Sequence, residues 1–148
     1  MREGLWIVSN ICFCQDLNTY RAFTSHQIFN ECLNLLNIKQ SFIQKEAIFV
    51  VFNLVKLNID GVHKRLVEEE DLFYRLILAI YHLTSIPNVI KLIKVLEVIL
   101  VDERKRGELA YYKLFQDMDG FDAIEQLQTH PNPMLSQCAQ DMLINLGG

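Results

Sequence analysis

At 148 residues the chain has room for one domain with a substantial core. Apolar residues make up 51% of it, whereas six glycines and three prolines leave little turn material for a β-sandwich, so buried helices are the expected content. The formal net charge of −4 favours basic partners and weighs against nucleic-acid phosphates.

Cys12, Cys14, Cys32 and Cys138 follow no zinc-finger spacing and stand in no secretory context. Cys12 and Cys14 with His26 form the one conceivable metal set, but residues i and i+2 of a helix turn away from each other. Buried, reduced thiols are the better reading, and no cofactor is expected. No signal peptide is visible. The most apolar run, Leu76 to Ile90, carries no formal charge but is shorter than the roughly 20 apolar residues of a membrane span, so it reads as a core helix.

In chain order, the first residues already lie in a helix. Glu3, Trp6 and Asn10 recur at i, i+3 and i+7, a spacing that stacks side chains along one helical face, and no cap precedes them. Asn18 to Phe23 suits a short helix. Ser25 can cap the next, whose stripe is Ile28, Phe29, Cys32, Leu33, Leu35 and Leu36. His26 has no nucleophile or acid beside it in sequence and reads as a surface turn. Asn37 to Ser41 is a turn, and Phe42 to Leu57 a long helix. On that helix Glu46, Phe49 and Asn53 repeat the acid–aromatic–amide triad, with Glu3 to Glu46 and Asn10 to Asn53 each 43 residues apart.

Asp60-Gly61 begins a new set of helices, with Val62 to Glu68 the short first one. Glu68 to Asp71 reads as a solvated corner whose acids favour a helix N-terminus. Leu72 to Thr84 is the second helix, and Pro87 stands in the first turn of the third, where proline is tolerated. Asp102 to Gly107, containing Arg104-Lys105-Arg106, reads as a solvated loop. Glu108 to Gln116, Gly120 to Thr129 and Asn132 to Leu146 complete the last set. Leu33, Leu36, Ile48, Val51, Leu54, Leu78, Leu83, Ile99 and Leu127 are expected in the core.

A repeat of about 40–47 residues is the signature of an armadillo or HEAT solenoid. Lys45-Glu46-Ala47, followed by an aromatic and Asn53, resembles the K-E-A-x-W-x-x-x-N pattern in the third helices of importin-alpha armadillo repeats. Arg2-Glu3-Gly4-x-Trp6 with Asn10 is similar to the preceding copy. Downstream, Gly120-Phe121-Asp122-Ala123-Ile124-Glu125-Gln126-Leu127-Gln128-Thr129-His130 is similar to the G-G-L-D-K-I-E-x-L-Q-x-H of the family's last repeat. Leu96-Glu97-Val98-Ile99-Leu100 resembles the L-E-N-I-L one repeat earlier. The four segments are collinear and span nearly the whole chain.

The resemblance implies an all-α, right-handed armadillo solenoid of about three and a third repeats. Residues 1–16 are the third helix of an incomplete repeat, and 17–58, 59–103 and 104–148 are three further repeats. It implies two more helices upstream, so a fragment or a truncated relative is expected. A basic nuclear localisation signal would run extended along the concave face. Asn10 and Asn53 would hold its backbone, each bond contributing roughly 0.5–1.5 kcal/mol. Trp6 and Phe49 would flank a lysine stem, at about 0.5–2 kcal/mol of cation–π attraction, while Glu3 and Glu46 meet its charge. What remains matches the family's minor site, of micromolar to millimolar strength after the ordering cost of a peptide. Phe49 departs from the family's Trp, and Phe52 stands where a small Ser or Thr is usual, as Ser9 is in the first copy.

One repeat later the triad is lost: Lys91, Lys94 and Val98 stand at the acid, ring and amide positions. Like charges would repel a lysine-rich peptide there, so the groove should stop after the second ladder. The resemblance also implies an export receptor of the importin-beta superfamily as a partner, through residues 108–148, and traffic between cytoplasm and nucleus. The auto-inhibitory basic segment is absent, so direct binding of importin-beta is not expected. Self-association through the truncated N-terminal end is plausible on the apolar flank that missing helices would leave. Nucleic acid and membrane are not expected partners. The alternative is a general armadillo scaffold that has lost signal binding. An enzyme is distant, because no acid/base pair, nucleophile or glycine-rich phosphate loop stands out.

Overall fold

The computed structural model describes residues 27–58, 61–82 and 85–146, and among these every regular element is helical. Helix α1 (Gln27–Asn34) runs into a 3-10 turn (Leu35–Asn37), and α2 (Ser41–Leu57) follows. A short helix α3 (Val62–Lys64) continues as a π-helical turn (Arg65–Glu69). Then come α4 (Leu72–His82), α5 (Ile86–Lys105), α6 (Ala110–Asp117), α7 (Gly120–Leu127) and α8 (Pro133–Asn145). None of the described helices is long and apolar enough to cross a membrane.

Local chemistry sets the helix ends. The chain leaves α2 at Asn58, whose left-handed φ of 46° is one that asparagine tolerates, and its amide closes on the Leu54 carbonyl at 3.0 Å. Pro87 sits in the first turn of α5, where no backbone donor is missed. Asn132 caps α8: its Oδ1 accepts from the Met134 and Leu135 amides at 3.0 and 3.1 Å.

The helices stack in two rows. The long helices α2, α5 and α8 lie side by side, α2 against α5 and α5 against α8. Behind them the 3-10 turn after α1 packs on α4, and α4 on α7. Each long helix also packs on its own predecessor, α1 with α2, α4 with α5 and α7 with α8. Side-chain hydrogen bonds between neighbouring sets repeat this offset, joining residues 38 to 48 positions apart.

Several joints among the described residues carry these bonds. Asn88 Nδ2 on α5 donates to the Ser41 carbonyl at 2.8 Å and to Gln44 Oε1 on α2 at 2.9 Å, while Gln44 Nε2 donates to the Leu36 carbonyl at 2.8 Å. Asn37 Nδ2 donates to the Arg75 carbonyl, and the Arg75 guanidinium returns a bond to Asn34 Oδ1, both at 2.9 Å. The Tyr111 hydroxyl donates to Glu68 at 3.1 Å, and Asn145 Nδ2 donates to Glu97 at 2.8 Å. Buried amides satisfied in this way fix one register, since any slip would strand them.

The core between the rows is aliphatic, closed at its far end by aromatics. Phe73 of α4 meets Phe115 of α6 edge-on at 5.3 Å, and Phe115 meets Phe121 of α7 at 4.9 Å. Gly120 is required there, because a Cβ on it would stand 2.4 Å from the Phe115 ring.

Leu33, Leu36, Ile48, Val51, Leu54, Ile99 and Leu127 are buried, whereas Leu83 lies outside the described residues. Leu78 is only half-buried. Helix α4 turns Leu72, Leu76 and Ile80 inward, and a residue two places after Leu76 falls about 200° round the helix. The stretch read as a loop, Asp102 to Gly107, is instead helical through Lys105. The reason is Glu103, only 1% exposed, whose two oxygens accept from the Tyr111 and Tyr112 amides at 2.6 and 3.0 Å. A carboxylate on the unpaired donors of the α6 N-terminus holds the last turn of α5 in place.

Candidate functional site

The row α2–α5–α8 forms a ridged face, and its grooves are the described surface best suited to an extended ligand. Between α2 and α5 lies an apolar groove of about 350 Å³, lined by Phe52, Val98 and Val101 with Lys94 and Glu97 at its edge. Between α5 and α8 lies a second, of about 640 Å³, whose lining includes Ile90, Met134, Cys138 and Asp141. Lys94 and Glu97 border both, so the grooves adjoin across α5.

Of the residues singled out from sequence, Glu46, Phe49 and Asn53 lie on α2, and Glu3, Trp6, Ser9 and Asn10 lie outside the described residues. Glu46 and Phe49 are half-buried, and Phe49 is already engaged in a contact within the protein. Asn53 is 6% exposed, and its Nδ2 finds no hydrogen-bond partner among the described residues. An orphaned buried amide costs roughly 1–3 kcal/mol, the largest polar deficit on this helix. The other buried amides of the row, Gln44 and Asn88, are both satisfied.

The residues one unit further on behave differently from their aligned positions. Lys91 was matched to the acid of the triad, but in space it rests on α2: its ammonium lies 3.9 Å from the centroid of the Phe52 ring. Burial, then the charges of Lys94 and Lys56, push Lys91 below the usual lysine range. Phe52 therefore does more than depart from a small residue, since it supplies the π face on which the chain seats its own lysine. Sequence reading missed this pair because a linear match aligns Lys91 with Glu46, whereas packing of α5 on α2 sets it beside Phe52. The signal available was an aromatic on one long helix facing a lysine on the next.

Elsewhere the polar groups look structural. His63 is buried and donates through Nε2 to the Val55 carbonyl at 2.6 Å, with Nδ1 3.6 Å from Asp102. Burial pushes the Cys32 thiol up to about 11, and burial likewise raises Cys138. Among the described residues no group of three or more His, Cys, Asp or Glu side chains comes together to hold a metal. No protein-family model matches the chain, and no curated protein or solved structure does.

Proposed function

We propose that this chain is part of an armadillo solenoid of the importin-alpha kind. It acts as a nuclear import adaptor fragment that takes basic nuclear localisation signals on the face of its long helices. The observation that carries the reading is the unpartnered Nδ2 of Asn53, two turns along α2 from Glu46 and one from Phe49. An amide held without a partner is suited to a ligand's backbone carbonyl, and the acid and ring beside it suit a lysine. The recurrence of cross-helix bonds at 38 to 48 residues supports an armadillo-like spacing. The same family reading makes an export receptor of the importin-beta superfamily a partner of residues 108–148, and the cytoplasm and nucleus the places of action.

A second reading, a general armadillo scaffold without signal binding, is favoured by the burial of Asn53. Titrating a labelled bipartite signal peptide against the whole chain separates the two. The adaptor reading expects saturable binding that Glu46→Lys weakens, that added salt weakens modestly, and that Phe49→Trp strengthens by enlarging the slot wall. Absence of saturable binding leaves the scaffold.

A further inference from the structure

The groove between α2 and α5 has the opposite character from a site for a basic peptide. Its floor is apolar, formed by Phe52, Val98 and Val101. Around it stand three lysines. Lys91 lies over the Phe52 ring, Lys94 borders the groove, and Lys56 follows Phe52 by one turn of α2. The ion pairs formed among the described residues use Arg65 and Arg106, and none uses these lysines. Glu97, the acid at the groove edge, accepts from Asn145 of α8 at 2.8 Å. Lys91 is lowered by burial first and then by the charges of Lys94 and Lys56, in keeping with the closeness of the three ammonium groups. In a chain with a net charge of −4, three lysines that form no ion pair among the described residues thus stand near one apolar groove, with Lys94 and the carboxylate of Glu97 at its edge.

We propose that this groove docks an extended acidic peptide carrying one bulky apolar side chain. The apolar side chain fills the space over Phe52, Val98 and Val101, and flanking carboxylates meet Lys56, Lys91 and Lys94. Both terms are needed. Three ammonium groups in water attract an anion only modestly, and the apolar floor of Phe52, Val98 and Val101 gives one bulky apolar side chain a place to bury. A long polyphosphate is a poorer fit. It supplies charge but no apolar group for the floor formed by Phe52, Val98 and Val101.

The probe is a fluorescein-labelled peptide, Gly-Glu-Asp-Glu-Phe-Glu-Asp-Glu-Gly, titrated against the full chain at low salt and read by fluorescence anisotropy. Saturable binding is expected, weakened about tenfold or more by Lys94→Glu, by Lys56→Glu, and by replacing the peptide's Phe with Ser. Lys94 and Lys56 are exposed, so these variants keep the fold, which circular dichroism verifies. Lys113→Glu, an exposed charge change on α6, should leave binding unmoved. Several results overturn the proposal: no saturable binding, equal binding of the Ser peptide or of an oligothymidine of matched charge, or indifference to both lysine reversals. Concentration-dependent dimerisation that Lys94→Glu abolishes, with no saturable peptide binding, would instead assign the groove to a second copy of the chain.

Discussion

Asn88 on α5 reaches Gln44 on α2 through a 2.9 Å hydrogen bond, and the two amides together close a buried chain from the Leu36 carbonyl to that of Ser41. Truncating Asn88 strands Gln44 Oε1, and truncating Gln44 strands the Leu36 carbonyl. Asn88→Ala should therefore cost about 2 kcal/mol in denaturant unfolding, with Gln44→Ala similar. Replacing both by alanine should cost less than the two single losses combined, because neither amide is left facing a missing partner. A strictly additive cycle would mean the two amides are not coupled.

Gly120 and Phe115 give a steric test. Gly120→Ala puts a methyl 2.4 Å from the Phe115 ring and should cost about 1–3 kcal/mol or more. In a Phe115→Leu background the same change should cost much less, since the ring that obstructs it is gone. Equal costs in both backgrounds would show that α7 simply moves aside.

How much of this was legible beforehand differs between fold and site. The helical content could be read because apolar stripes recur in plain sequence, whereas the first copy of the acid–aromatic–amide triad lies outside the described residues. The groups that hold the stack together could not. Gln44, Asn88, Asn37 and Arg75 are polar residues with no periodic signal, and their role appears only when neighbouring helices bring them within hydrogen-bond reach. Asp102 to Gly107 misled because a charged run resembles solvent-exposed loop, whereas Glu103 is buried to cap α6. Lys91 misled for a related reason: pattern matching compares residues along one helix, and its partner, Phe52, is on another.

Alkaline pH should loosen the fold. The Cys32 thiol has its pKa raised from 9.0 to about 11, by burial first and the nearby Glu31 second, so the folded chain holds this proton more tightly than the unfolded chain does. The stabilisation is complete below pH 9 and is lost as pH rises towards 11. Tyr111, raised to about 12 by burial and by its bond to Glu68, acts in the same direction at higher pH. Unfolding free energy measured between pH 8 and 11 should fall, and the Cys32→Ala variant should fall less steeply. A wild-type profile that rises or stays flat would contradict the burial of this thiol.

The adaptor reading rests on the unpaired amide of Asn53, and one paired measurement tests it most directly. A lysine-rich bipartite signal peptide is titrated by calorimetry into the wild-type chain and into Asn53→Ala, and the melting temperature of each protein is recorded without peptide. The substitution removes a donor that has no partner among the described residues, so the melting temperature should not fall. Affinity should fall several-fold, about 1 kcal/mol for one lost hydrogen bond to the ligand backbone. A lowered melting temperature with unchanged affinity would place Asn53 in the service of the fold and refute signal binding through it.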